Sequence, residues 1–209
     1  MTNRQDISGG TGYQVNAPQN PVILGNDNEI NINNYPPRLN LGAPFQAPPL
    51  PRHYVERPDH FDAVKAILLD ESTPGTLVIS AIYGMGGIGK SVLAAALVQN
   101  SEIQQRFPDG VLWVTLGQQP DMLSMVNLWI RALGDYDYNP TTLSAASLHL
   151  RTLLADKRAL LVVDDVWNPE HVELFCIGGA GCRVLVTTRQ TKIVGATCYD
   201  LDLMTQQQS

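Results

Sequence analysis

An apolar, β-branched run at residues 77–83 (LVISAIY) passes directly into GMGGIGKS at 84–91, and the run SVLAAALVQN that starts at its last residue reads as a helix. Glycines at these positions let the backbone turn without Cβ clashes, so that successive N–H groups converge on an anion. A helix starting there aims its positive end at the same point. The spacing matches G-x-x-x-x-G-K-[ST], a loop that cradles the phosphates of a nucleoside triphosphate. Gly84, Met85, Gly86, Gly87, Ile88, Gly89, Lys90, Ser91 and Val92 are therefore the candidate nucleotide-binding residues. Lys90 offers an ammonium to the β- and γ-phosphates, and Ser91 a hydroxyl to Mg²⁺.

The rest of the chain is an alternation that such a loop requires. Strands are expected at 111–116, 160–166 and 183–188, with a weak fifth at 199–203; helices are expected at 59–69, 122–133 and 143–154. Pro58 suits the first turn of the first of these helices. The pattern predicts an α/β fold, a doubly wound, mostly parallel five-stranded sheet with ligands at the carboxyl ends of the strands.

Two further signals stand at strand exits. ALLVVDD ends in Asp164 and Asp165, where a carboxylate can reach a Mg²⁺ ion held by phosphates. Asp164 is assigned that metal role, and Asp165 the orientation or deprotonation of an attacking water. VLVTTR ends in Thr187, Thr188 and Arg189, which would place hydroxyls and a guanidinium beside the γ-phosphate. Asp165 and Arg189 are the candidate catalytic residues. An acidic pair is also an ordinary turn signal, and a lone arginine after a strand an ordinary solvated one.

Composition narrows the function. A formal net charge of −6 and the lack of a basic stripe exclude nucleic-acid binding by this segment. No apolar run is long enough for a membrane helix, and the first residues lack a signal-peptide pattern, so a soluble cytoplasmic protein is expected. Cys176, Cys182 and Cys198 are odd in number and lack C-x-x-C spacing, which points to buried free thiols. Residues 1–35 are rich in Asn, Gln and Gly, with Arg4 their one basic residue. Residues 36–51 hold six prolines and read as an extended, semi-rigid linker, leaving 52–209 as the domain. Within the tail, apolar patches at 13–15 and 22–24 and the alternation at Ile30 and Ile32 are β-prone and low in charge. Such pieces stack in register through asparagine ladders, or else form a plain disordered leader.

GMGGIGKS, ALLVVDDVW and CRVLVTTR, at these separations, resemble the NB-ARC nucleotide-binding domain of the STAND signal-transduction ATPases, over roughly residues 52–209. That family includes plant resistance receptors and animal apoptosome ATPases. The resemblance implies ATP/ADP and Mg²⁺ as ligands. It also implies a sheet order with the arginine-bearing strand between the phosphate-loop and aspartate strands, bringing Arg189 near Lys90. HYVERPDHFDAV resembles the family's opening motif, which makes Val55 and Arg57 candidate contacts to the adenine region. The tail is similar to amyloid signalling motifs of bacterial and fungal NB-ARC receptors. By that likeness the chain is the switch of an NLR-like receptor that self-oligomerises and templates a matching motif on a cell-death effector in innate immunity. The alternative is the nucleotide-binding part of a STAND transcriptional regulator with an inert tail. Family members continue into helical and winged-helix subdomains, so this chain is expected to be part of a longer protein. Slow Mg²⁺-dependent ATP hydrolysis is expected of the complete protein, and nucleotide binding of this part.

Overall fold

The computed structural model of the protein describes residues 14–17, 20–23, 42–72, 78–190 and 195–201. Chain contacts divide it into Met1–Asn40 and Leu41–Ser209. In the first unit, β1 (Gln14–Ala17) and β2 (Asn20–Ile23) pair antiparallel, with Val15 opposite Val22. Ile30 and Ile32 lie outside the described residues.

The second unit is built from α1 (Pro58–Leu69), β3 (Val78–Tyr83), α2 (Lys90–Gln99), α3 (Ser101–Arg106), β4 (Val111–Gly117), α4 (Met122–Ala132), α5 (Leu143–Leu154), β5 (Leu160–Val166), β6 (Arg183–Thr188) and β7 (Ala196–Asp200). Its five strands form one sheet in the order β4-β5-β6-β3-β7, every neighbouring pair parallel. The doubly wound α/β fold of P-loop NTPases expected from the sequence is the fold observed. No described helix is long and apolar enough to cross a membrane.

Alternation along each strand divides the core in two. Leu160, Val162 and Leu185 pack with Val64 and Leu68 of α1, Leu93 and Leu97 of α2 and Ile103 of α3. Leu161, Val163, Val184 and Val186 face the other way, onto Val126, Trp129 and Ile130 of α4 and Leu150 and Leu154 of α5. Because both faces are covered, β5 and β6 read as unbroken apolar runs, as central parallel strands must. Trp129 is fully buried and meets Phe175 edge to face, ring centroids 4.9 Å apart.

Several elements differ from the sequence reading. The fifth strand runs through Ala196–Asp200, earlier than the expected 199–203. It is an edge strand whose register is set by backbone pairing with β3 along its whole length and little by its own apolar content. Helix α3 and a 3₁₀ helix at Pro169–Leu174 had no expectation at all; each buries one side chain, Ile103 or Val172, and each is capped by an asparagine. Asn100 accepts from the N–H groups of Glu102 and Ile103, and Asn168 from that of Glu170. Cys182 is buried, but Cys198 is exposed on β7, against the expectation of three buried thiols. The Cys176 thiol is pushed up to about 11 by burial and by Glu173. Within the proline-rich stretch, Phe45 bridges Val111 in parallel, and Pro44 and Gln46 exchange backbone hydrogen bonds with Val111. The prolines that bar this stretch from a central strand leave it free to line an edge.

Candidate functional site

Sheet order brings the separate motifs to one place. β6 lies between β3 and β5, so the loops after all three open side by side at the carboxyl end of the sheet. After β3 the chain enters the phosphate loop. Gly89, with φ 99°, is the N-cap of α2, and no side chain caps that helix. A side-chain-bearing residue is strained in this left-handed conformation, whereas glycine leaves the first N–H groups of α2 open to an outside acceptor. The other end of the loop is held by backbone. Leu201 N–H donates to Tyr83 O at 2.9 Å, and a Cβ on Gly84 would lie 2.8 Å from Leu201 O.

Lys90 is 8% exposed, and its Nζ donates to Gly84 O at 2.9 Å and Met85 O at 2.8 Å. Burial, then the nearby Arg189 charge, hold its ammonium below the usual lysine range; Asp165 and Asp164 oppose that shift. Ile88 is buried against the core, whereas Met85 is exposed and Ser91 and Val92 are half-buried.

The aspartates are set by β6. Asp164 is buried, with Oδ1 accepting from Thr187 Oγ1 at 2.5 Å and Oδ2 from Thr115 Oγ1 at 3.3 Å. Each oxygen keeps a lone pair, so the carboxylate can still bind a cation. Asp165 occupies a left-handed backbone conformation, φ 50°, where the β5–β6 register shifts between Val163 and Val166. This is uncommon for a residue with a side chain, and it is held by the Asp165 N–H bond to Thr187 Oγ1 at 2.9 Å. Asp165 Oδ2 accepts from Trp167 Nε1 at 3.1 Å.

Arg189 is exposed, and its guanidinium carbon lies 4.3 Å from the centroid of the Trp167 ring. A Cβ on Gly86 would lie 2.9 Å from that same carbon. Arg189 thus abuts the phosphate loop. The hydroxyls of Thr187 and Thr188 do not face a phosphate site as the sequence suggested. Both side chains are buried, Thr187 serving the two aspartates and Thr188 donating to Val166 O and accepting from Gln190 N–H.

Arg57 and Val55 part company. Arg57 is buried, donating to Ile88 O at 3.2 Å and contacting His60 Nε2 at 2.8 Å, so it braces the phosphate loop from behind. Arginine can only donate, which makes His60 Nε2 the acceptor and leaves Nδ1–H to donate to Tyr199 Oη at 2.8 Å. Val55 is exposed. Sequence reasoning missed Thr115, His60 and Trp167. For Trp167 a signal existed, since it stands two residues after Asp165; Thr115 and His60 join the site only through the fold.

The NB-ARC domain profile matches residues 57–207. Relatives include apoptotic protease-activating factor 1 of Danio rerio, 36% identical over 72% of this chain and 12% of that protein. The regulatory protein AfsR of Streptomyces griseus is 30% identical over 64% of this chain and 14% of its own length. The disease resistance protein RGA2 of Solanum bulbocastanum is 28% identical over 68% and 15%. The chain therefore spans between 12% and 15% of the length of these relatives. With a domain match over well more than half of its residues, and a phosphate loop, aspartate pair and strand-exit arginine meeting at one sheet end, this chain belongs to the NB-ARC family, the nucleotide-binding module of STAND NTPases.

Proposed function

We propose that this chain is the ATP/ADP-binding switch of an NLR-like signalling receptor. One observation carries the reading: β6 lies between β3 and β5, so that Arg189 touches Gly86 while Asp164 and Asp165 stand at the same sheet end as Lys90. The donor set fits a magnesium nucleotide. The uncapped start of α2 offers N–H groups to phosphate, Lys90 offers a cation, and Ser91 and Asp164 supply the oxygen ligands that Mg²⁺ prefers.

In this reading Lys90 exchanges its two loop carbonyls for β- and γ-phosphate oxygens, relieving the cost of a buried ammonium. Asp164, oriented by Thr187 and Thr115, would hold the ion, whose charge would offset that of the phosphates. Asp165 orients or deprotonates water, and Arg189 meets the γ-phosphate. Arg57 supports the loop at Ile88, with Val55 at the exposed approach to the base. Hydrolysis is slow and resets the switch.

Likeness to apoptotic protease-activating factor 1 and to a disease resistance protein supports a receptor that self-oligomerises in the cytoplasm on activation. The β1–β2 pairing supports a β-forming tail that passes the signal to an effector with a matching amyloid motif. The likeness to AfsR favours the second reading, a STAND regulator with an inert tail.

Fluorescent ATP and ADP analogues titrated into the chain with and without Mg²⁺ test the site. Saturable binding that Lys90→Ala removes supports it; binding retained by Lys90→Ala would reject it. Thioflavin-T fluorescence of residues 1–35 beside an Ile30→Pro, Ile32→Pro variant separates the two tail readings.

A further inference from the structure

We infer that Trp167 is the positioning residue of this site, holding the Arg189 guanidinium against the phosphate loop and the Asp165 carboxylate in place with one side chain. The inference rests on the reading of Arg189 as the γ-phosphate cation.

The geometry is specific. Trp167 follows β5, is half-buried, and uses both of its chemical surfaces. Its indole N–H donates to Asp165 Oδ2 at 3.1 Å, while its ring face lies 4.3 Å from the Arg189 guanidinium carbon. A donor edge for a carboxylate and a negative face for a cation are properties that tryptophan combines best. On the loop side, the Cβ position of Gly86 is nearly equidistant from Arg189 Cζ, Nη1 and Nη2, at 2.9, 3.0 and 3.1 Å. The guanidinium therefore presents its flat face to Gly86, and any larger residue there would push it away.

Two consequences follow for the arginine. Its N–H donors make no hydrogen bond or ion pair among the described residues, so they remain available to an anion at the loop. Its many rotamers are reduced by the ring contact, so the entropy of ordering it is spent before an anion arrives. Asp165 gains in the same way. Its backbone is already held by Thr187, and Trp167 fixes the carboxylate that the left-handed turn projects. Trp167 thereby couples the group that meets the γ-phosphate to the group that faces water. Loss of the γ-phosphate contact changes the environment of an indole as well as that of a guanidinium.

The experiment compares ATP and ADP affinity, with Mg²⁺, in the parent chain and in Arg189→Ala, Trp167→Leu, Trp167→Phe and the Arg189→Ala, Trp167→Leu pair. Trp167→Leu is expected to weaken ATP binding by about tenfold with ADP affinity little changed, as Arg189→Ala does, and the pair to be no worse than Arg189→Ala alone. Trp167→Phe keeps the ring face and should restore the ATP preference, which a loss of general packing would not allow. In the parent chain, ATP but not ADP should alter an indole emission component that Trp167→Phe lacks. If Arg189→Ala abolishes the ATP preference while Trp167→Leu keeps it, the positioning role is overturned and the nucleotide site stands. If Arg189→Ala itself leaves the preference intact, the reading of the site fails, and the inference with it. Thermal melting of each variant checks that it is folded.

Discussion

The two ends of the same parallel sheet use glycine for opposite purposes. At the amino ends of the strands, backbones are stapled together. Leu160 N–H donates to Gly110 O, Arg183 N–H to Ala159 O, and Gly179 N–H to Leu154 O. A Cβ on Gly179 would lie 1.9 Å from Ala155 O, so the glycine is there because another backbone passes through that space. The buried Arg183 adds bonds to the carbonyls of Ala180, Cys182 and Asp70. At the carboxyl ends, Gly89 has nothing within 4 Å of its Cβ position, and its positive φ opens the loop instead of closing it. One end closes its glycine on a neighbouring backbone, whereas the other leaves Gly89 open and the start of α2 without a side-chain cap. Substitutions at the first should cost stability, and at the second, binding.

Lys90→Ala should show the largest effect. It removes the proposed charged partner of the phosphates, worth about 3 kcal/mol or roughly a hundredfold in nucleotide affinity, with little change in the melting temperature of the ligand-free chain. Titration calorimetry and melting on one sample check both halves. A large loss of stability with unchanged affinity would break the comparison. Gly179→Ala is its mirror. Forcing a methyl against Ala155 O should destabilise the fold by about 2 kcal/mol in urea unfolding while leaving affinity per folded molecule intact.

Thr187→Val tests the boundary between the two ends, because Thr187 is fully buried yet serves Asp164 and Asp165. The swap leaves a buried carboxylate oxygen and a backbone N–H without that partner. It should cost about 1–2 kcal/mol of stability and also weaken the Mg²⁺ dependence of nucleotide binding. If only one of these readouts moves, Thr187 belongs wholly to one end.

The smallest expected effect is one of pH. The folded chain holds Lys90 below its ordinary 10.5, so at lower pH the buried charge is a destabilising contribution, relieved as pH rises through the folded value towards 10.5. Phosphate binding needs the charged form and favours it. Nucleotide affinity should therefore begin to fall on the acid side of 10.5, with proton uptake on binding in that window. Calorimetry in buffers of different ionisation enthalpy measures that uptake, and Lys90→Arg should move the fall to higher pH.

Much of this was legible in the chain itself. The apolar runs of β5 and β6 announce buried parallel strands, and the bounds of α5 and both these strands match their periodicity. The edge strand β7 was misplaced because its residues are largely exposed and carry little apolar signal. The motif singled out Arg57 as a contact to the adenine region; its bond to Ile88 O depends on how α1 docks against the loop.

The sequence by itself determined the phosphate loop, the α2 start and the strand-exit carboxylates, because these depend on local backbone freedom and on period-two burial. The family resemblance implied that the arginine strand lies between the other two, and the sheet has that order, but the side-chain contacts came from the tertiary structure. Trp167, Arg189 and Gly86 are far apart in the chain, and they meet because β6 inserts between β3 and β5. Strand order is set by long-range pairing and two-sided helix packing, which no local propensity encodes.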